Sequence, residues 1–275
     1  MIYTKPIEYK GLQDIKENID FYYDKFIKDT ILVFRNANLT NEEHLELQQV
    51  LGDRFGWFPN TTSGIESRYF ENHAPNGHLT EENKDVVVLD WHVEHPFFTN
   101  PIVGALWNMF TFNIDEDRGK TYFVDTRTIY KMLPDDWQNF LNKCVANAYS
   151  YNHTNSMHQT KVIAPHWINK DPVIRMQLHR IEIGWHDLHS FDGRTPTADE
   201  QSQFIKIGNW IINEIINNEE VRIVHKWHQG DVVIPDLYCL AHAITGGFNP
   251  KDRHFTGLWS YQMDNGTVPL FKSVL

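Results

Sequence analysis

The chain has 275 residues, of which 41% are hydrophobic and 22% charged, which is typical of a folded globular protein and excludes disordered and fibrous classes. Acidic residues outnumber basic ones by 36 to 25, and the net charge of -11 argues against nucleic acid as a partner. No apolar run approaches the roughly 18 residues that span a bilayer, and the two cysteines, distant in sequence, fit a reducing compartment, so we expect a cytoplasmic protein without a membrane partner.

The first third of the chain predicts a helix, a strand and a second helix. Apolar residues at helical spacing predict a helix over 14–28, and the short β-branched run 31–36 predicts a buried strand. A capping sequence that starts at Asn38 predicts a helix to about Val50. Turn-forming residues follow, and we interpret residues 59–85 as a lid or insert loop.

Strand patterns dominate the rest of the chain. Two β-rich runs within 86–112 predict a hairpin, and a strand at 120–124 precedes a helix predicted over 128–146 with a break at 133–137. Residues 198–218 predict one amphipathic helix. Further strands are predicted at 173–178, 180–185, 221–227, 231–235 and 254–262.

These elements predict one domain over residues 1–275. Strands lie at both ends, helices are inserted between them, and no regular βαβ alternation is present, which argues against a doubly wound sheet. The predicted fold class is mainly β with flanking helices (α+β), and its core is a jelly roll, also called a double-stranded β-helix.

A His-x-Glu pair ends the first β-rich run. On a strand, His92 and Glu94 point to the same side and can bind one metal ion. A second pair, His44 and Glu46, lies within a predicted helix, where residues two apart diverge. We therefore assign His44 and Glu46 to a solvated helix face.

A third ligand has to come from a distant segment. His242 follows the turn and apolar strand at 230–236, which directs it toward the core. Two imidazoles and one carboxylate suit Fe(II) in oxygenases and also catalytic zinc. Arg253, 11 residues further on, brings a guanidinium fork suited to a carboxylate. The alternative is a surface ion pair of Arg253 with Asp231 or Asp252.

The order and spacing of these motifs resemble the taurine dioxygenase (TauD/TfdA) family of Fe(II)/2-oxoglutarate oxygenases. The motifs are WHVE at 91–94, GKTYFVDT at 119–126, GDVVIPD at 230–236, His242 and Arg253. The resemblance implies Fe(II) and O2 as cofactors, 2-oxoglutarate as cosubstrate, and release of succinate and CO2.

The same resemblance implies a role for individual residues. His92, Glu94 and His242 correspond to the iron ligands, and Arg253 to the ion-pair partner of the distal carboxylate of 2-oxoglutarate. Thr121 corresponds to a hydroxyl donor to that carboxylate.

Two departures from the family pattern bear on the substrate. Glu94 replaces the usual aspartate, as in clavaminate-synthase-like relatives, many of which act on amino acids. Gly257 stands where taurine dioxygenase has an arginine that grips the sulfonate. We therefore expect oxidation of an unactivated C–H bond in a free amino acid or related small acid rather than in taurine.

The sequence also suggests residues that contact this small-molecule substrate. They are Tyr69, Phe70, Asn72, His73 and Arg175. A competing hypothesis is a metal-binding jelly roll without redox chemistry, either a zinc hydrolase or a ligand-binding module. The sequence is compatible with a homo-oligomer and does not determine the oligomeric state.

Overall fold

A computed structural model describes residues 2–59, 87–94, 102–115, 117–149, 157–176, 178, 188–248 and 252–262. Its first part contains β1 (Ile2–Tyr3), β2 (Ile7–Glu8), α1 (Leu12–Glu17), α2 (Ile19–Asp29), β3 (Ile31–Arg35), α3 (Asn41–Phe55) and β4 (Trp57–Pro59). The middle part contains β5 (Val87–Val93), β6 (Ile102–Phe112), β7 (Thr121–Asp125), α4 (Thr126–Met132), α5 (Asp135–Leu141), β8 (Cys144–Tyr149), β9 (Met157–Lys161), β10 (Ile163–Pro165) and β11 (Pro172–Ile174). The last part contains β12 (Leu188–Phe191), α6 (Ala198–Asn217), β13 (Arg222–His225), β14 (Val232–Pro235), β15 (Leu240–Thr245) and β16 (Arg253–Gln262).

Two sheets form the core, and they confirm the predicted jelly roll. The first sheet has the strand order β1-β13-β7-β15-β5, and the second has the order β2-β3-β14-β6-β16-β4. The last four strands of the described residues, β13 to β16, alternate between these sheets, which closes one sheet over the other. Trp107 on β6 stacks on Phe123 on β7 with ring centroids 6.0 Å apart, so the inner faces pack directly against each other.

The predicted hairpin within 86–112 is wrong. β5 belongs to the first sheet, where it pairs with β15. β6 belongs to the second sheet, where it lies between β14 and β16. A β-rich run predicts that a segment is extended, but it does not predict which distant strand forms the hydrogen bonds with it.

The helices cover the outer faces of the sheets. The apolar face of α6 packs with residues of α4, β13 and β15 in one buried cluster. α3 begins with a capping box in which Thr40 Oγ1 accepts from the Glu43 amide at 3.2 Å and Glu43 Oε2 accepts from the Thr40 amide at 2.8 Å. Gln48 of α3 donates to Ser260 Oγ on β16 at 3.0 Å, which fixes this helix against the second sheet.

Two other helix predictions differ from the structure. The segment predicted as one helix over 14–28 is divided at Asn18 into α1 and α2. The helix predicted over 128–146 is divided at Leu133 and Pro134, as expected from the proline, but it ends at Leu141 and β8 follows. The strand β11 (Pro172–Ile174) covers the first two residues of the strand predicted over 173–178, and residues 175 and 176 are not in a strand. The strand predicted over 180–185 lies outside the described residues.

The assignment of His44 to a solvated face is also wrong. His44 is 1% exposed, and its side chain extends from α3 toward β16, where its Nδ1 is 3.2 Å from Thr256 Oγ1. Burial lowers its pKa to about 4, so this imidazole is neutral at physiological pH. Glu46, two residues on, is exposed as predicted and binds Lys16.

Two observations concern the predictions about compartment. Cys144 and Cys239 are free thiols, and both are buried. Within the described ranges, no helix combines the length and apolar character required to cross a bilayer.

Candidate metal centre

His92, Glu94 and His242 come together on two neighbouring strands of the first sheet. His92 on β5 lies directly opposite His242 on β15 in the antiparallel register. Their rings are 4.1 Å apart between centroids. Glu94 follows the last residue of β5, so its side chain projects to the same side as His92, as the i, i+2 spacing predicts.

The three side chains have separations close to those of ligands around one ion. Glu94 Oε2 lies 3.7 Å from Nε2 of His92 and 3.7 Å from Nε2 of His242. Their potential ligand atoms all lie within 4.8 Å of one another. Metal–ligand bonds of about 2.0–2.2 Å bring neighbouring donor atoms to roughly 3–3.6 Å, whereas a direct hydrogen bond is shorter than 3.7 Å. The donor set therefore fits a bound divalent ion.

The cluster is partly exposed at His92 and packed against aromatic rings at His242. The side chains of His92, Glu94 and His242 are 20%, 11% and 5% exposed. The rings of Trp107 and Phe123 lie 5.4 Å and 6.1 Å from the His242 ring. Three protein ligands on one side leave coordination positions for other molecules, which is the arrangement of catalytic metal sites.

Arg253 is a buried cation at the start of β16. It is 2% exposed, and its guanidinium carbon lies 5.5, 5.6 and 5.2 Å from the ring centroids of Trp227, Phe248 and Phe255. Burial lowers its pKa to about 9, so the group stays charged at neutral pH. A charged fork in an apolar surrounding is suited to a carboxylate.

The alternative placed Arg253 on the surface in an ion pair with Asp231 or Asp252, and this surface placement is wrong. The side chain is buried, and Asp231 is fully buried and lies against other groups. Arg35 Nε is 3.2 Å from Asp231 Oδ1, and His225 Nε2 is 3.3 Å from Asp231 Oδ2.

Thr121 begins β7 and is 1% exposed. Its Oγ1 accepts a hydrogen bond of 2.8 Å from the indole Nε1 of Trp227. The same indole lies beneath Arg253, so Thr121 and Arg253 share one neighbour. Nothing in the local sequence around Trp227 predicts this contact, because its partner strand lies 106 residues away in the chain.

Among the expected substrate contacts, only Arg175 can be placed. Tyr69, Phe70, Asn72 and His73, and almost all of the expected lid at 59–85, lie outside the described residues.

Arg175 is 3% exposed; its Nη1 donates to the Tyr238 carbonyl at 3.0 Å, and its guanidinium carbon is 4.4 Å from the Tyr238 ring centroid. Burial lowers its pKa, while the charges of Asp236 and Glu94 partly oppose this shift. Arg175 is therefore a buried cation in electrostatic reach of the metal cluster.

A second cluster, His166, Asp236 and Cys239, has metal-ligand residue types but is hydrogen-bonded internally. Asp236 Oδ2 lies 2.8 Å from His166 Nε2, and Oδ1 accepts from the Tyr238 amide at 3.2 Å. Burial raises the pKa of the Cys239 thiol well above its usual value, so it remains protonated. We interpret this cluster as the support of the turn between β14 and β15.

Comparisons with known proteins give a family match and several structural likenesses. Residues 12–259 match the family described as "Taurine catabolism dioxygenase TauD, TfdA family". The (S)-phenoxypropionate/alpha-ketoglutarate-dioxygenase of Sphingobium herbicidovorans is 24% identical over 244 residues, which are 80% of this chain and 78% of that protein.

Two solved structures share the fold of the chain. AAD-2 in complex with Mn(II) and N-oxalylglycine has a TM-score of 0.62 at 15% identity, covering 95% of this chain and 93% of AAD-2. A taurine dioxygenase from Burkholderia xenovorans has a TM-score of 0.61 at 15% identity, covering 94% of this chain and 85% of that structure.

Proposed function

Because this chain belongs to the TauD/TfdA family and is an Fe(II)- and 2-oxoglutarate-dependent dioxygenase, we propose that it oxidises an unactivated C–H bond of a free amino acid or related small acid. The proposal includes a single catalytic domain over residues 1–275, a lid at 59–85, and activity in the cytoplasm. Because the chain belongs to this family, we reject the alternative without redox chemistry, which was a zinc hydrolase or a ligand-binding module.

We propose His92, Glu94 and His242 as the iron ligands. The observation that carries this assignment is the position of Glu94 Oε2, 3.7 Å from the Nε2 atoms of both histidines. When bound, the iron supplies the O2 activation that couples decarboxylation of 2-oxoglutarate, to succinate and CO2, to substrate oxidation. The single carboxylate offsets part of the ion's charge, and the two imidazoles bind as neutral groups.

Arg253 and Thr121 are the proposed contacts of the distal carboxylate of 2-oxoglutarate. The guanidinium can bind this group through two parallel hydrogen bonds, and the aromatic rings around it exclude water that would weaken the attraction. The Thr121 hydroxyl can donate a further hydrogen bond. The 2-oxo acid end would then be available to the coordination positions that the three proposed ligands leave open.

The proposed substrate class is supported by Gly257, the position at which taurine dioxygenase has an arginine that binds the sulfonate. Gly257 offers no side chain to bind a sulfonate, and its position faces the indoles of Trp107 and Trp259. Arg175 and the expected lid residues Tyr69, Phe70, Asn72 and His73 are the proposed polar and aromatic contacts of the substrate.

A spectroscopic and a turnover experiment test these proposals. Anaerobic addition of Fe(II) and 2-oxoglutarate should produce the weak visible charge-transfer band of a chelated 2-oxo acid, and Zn(II) should not. Absence of the band with Fe(II) would contradict the assigned centre. A panel of free amino acids and small acids should then contain a compound that stimulates succinate formation. Stimulation only by compounds outside this panel would contradict the substrate class.

A further inference from the structure

Trp227 connects the two proposed contacts of the cosubstrate. It is 1% exposed, its Nε1 donates to Thr121 Oγ1 at 2.8 Å, and its ring centroid lies 5.5 Å from the guanidinium carbon of Arg253. The N–H edge of the indole thus contacts Thr121, and its face contacts Arg253. These two residues are the proposed contacts of the distal carboxylate of 2-oxoglutarate.

The hydrogen bond from Trp227 restricts the direction of the Thr121 hydroxyl proton. A threonine hydroxyl has one proton and accepts hydrogen bonds through its lone pairs. Since the indole N–H already occupies an acceptor position, the Thr121 proton has to point away from Trp227. Thr121 makes no other side-chain hydrogen bond within the described ranges, so its proton remains for an incoming acceptor.

The indole is itself held by buried groups. Phe255 stacks on it with centroids 6.3 Å apart and planes 20° apart, and the His225 ring packs at 4.5 Å and 86°. His225 Nε2 lies 3.3 Å from Asp231 Oδ2, and Arg35 Nε lies 3.2 Å from Asp231 Oδ1. A ring packed on both sides by buried residues keeps its N–H in one direction.

We propose that Trp227 is a positioning residue for 2-oxoglutarate: its N–H directs the Thr121 hydroxyl toward the distal carboxylate, and its face supports the Arg253 guanidinium. The proposal rests on the proposed function, because it assumes that Thr121 and Arg253 bind this carboxylate. Without this role, Trp227 would be interpreted as a buried core residue.

The test is Trp227→Phe, which keeps an aromatic face beneath Arg253 but removes the N–H donor. We expect the dissociation constant of 2-oxoglutarate, measured by anaerobic titration of the visible band, to rise about five- to tenfold. Iron content should not change, because the contacts of Trp227 within the described residues are with Thr121, His225, Arg253 and Phe255 and with none of the three proposed ligands. Trp57→Phe is the matched control, since Trp57 is 3% exposed and its Nε1 has no hydrogen-bond partner in the described part of the chain.

Two further measurements separate positioning from general packing. In a Thr121→Val background, Trp227→Phe should change the affinity less than twofold, because the hydroxyl that it directs is absent. The affinity for 2-oxobutyrate, which lacks the distal carboxylate, should be the same in wild type and Trp227→Phe.

The outcomes distinguish this inference from the function on which it rests. An effect of Trp227→Phe no larger than that of Trp57→Phe, or one that persists undiminished in the Thr121→Val background, would overturn the positioning role. Unchanged 2-oxoglutarate affinity in both Thr121→Val and Arg253→Leu would overturn the proposed cosubstrate site itself, and the inference with it.

Discussion

His92 and His242 face each other across two hydrogen-bonded antiparallel strands, with ring planes inclined by 51°. A register of this kind fixes both imidazoles through the backbone of the first sheet, so their separation does not depend on a flexible loop. Glu94 alone follows the end of its strand. The proposed metal site is therefore preorganised by the sheet, and removal of either imidazole should not be compensated by a neighbour.

We predict that His92→Ala and His242→Ala each lose most of their bound iron. Two remaining protein ligands hold a divalent ion far more weakly than three. The measurement is iron content per chain after anaerobic loading and gel filtration. His189→Ala, which removes an exposed imidazole on β12, is the matched control and should retain the wild-type content. Full iron content in both site variants would contradict the ligand assignment.

We predict that Arg253→Leu keeps its iron but binds 2-oxoglutarate at least tenfold more weakly. A buried carboxylate without its charge partner loses about 2 kcal/mol or more. Arg253→Lys should recover only part of the affinity, because an ammonium group cannot form two parallel hydrogen bonds. Anaerobic titration of the visible band measures both variants.

Arg194→Leu is the matched control for this titration, since it removes an exposed arginine that binds Glu200. It should leave the affinity for 2-oxoglutarate unchanged. Wild-type affinity in Arg253→Leu would show that another group receives the distal carboxylate.

The sequence predicts the proposed metal cluster better than the strand pairing around it. His92 and Glu94 are recognisable because the two-residue period of a strand acts locally, whatever the strand pairs with. The partner of β5 is β15, about 150 residues later in the chain, and a local pattern carries no information on such a pairing. The wrong hairpin prediction and the unnoticed contact of Trp227 with Thr121 have this same cause.

The helix α3 ends five residues later than predicted. Gly52 follows the predicted end near Val50, yet the helix continues to Phe55, and Gly56, with φ of 73°, is the residue that ends it. A Cβ at position 52 would lie 3.0 Å from the Trp57 carbonyl oxygen. Gly52 therefore permits a close approach of β4 to the helix, a requirement that only the tertiary structure reveals.

We predict that His44 makes the folded state less stable as the pH falls from 6.5 to 4. Its pKa is about 4 in the folded chain and 6.5 in an ordinary environment, so in this interval the unfolded chain binds a proton that the folded chain does not. Between pH 7 and pH 4.5 this difference lowers the free energy of unfolding by about 2–3 kcal/mol.

Urea denaturation of the metal-free protein at both pH values measures the His44 contribution. His44→Gln cannot take up this proton, so its loss of stability between pH 7 and pH 4.5 should be smaller than that of the wild type by the stated amount. The exposed His189→Gln should behave as the wild type does. An equal loss in wild type and His44→Gln would show that the buried imidazole does not contribute to the acid sensitivity.

We predict that taurine neither stimulates 2-oxoglutarate turnover nor competes with the true substrate. Gly257 lies opposite Trp107 in the register of β16 and β6, and the Trp107 ring is 5.4 Å from His242. Position 257, which the family resemblance assigns to the sulfonate contact, therefore carries no cation. Succinate formation with taurine, compared with that from the panel of amino acids and small acids, measures the preference, and robust taurine oxidation would contradict it.

The substitutions Gly257→Ala and Gly257→Arg test whether the substrate also needs the space beside Gly257. A Cβ at position 257 would lie 3.4 Å from Trp107 Cδ1 and 3.5 Å from Trp259 Cη2, which are ordinary contacts, so the alanine variant should keep most of its substrate-stimulated turnover. An arginine has to displace these indoles and leaves an unpaired charge in a dry site, which costs several kcal/mol unless an anion binds it. Gly257→Arg should therefore lose substrate-stimulated succinate formation while its visible band with Fe(II) and 2-oxoglutarate persists, because Arg253 and the three proposed ligands are unaltered. Equal turnover in Gly257→Arg and Gly257→Ala would place the substrate elsewhere.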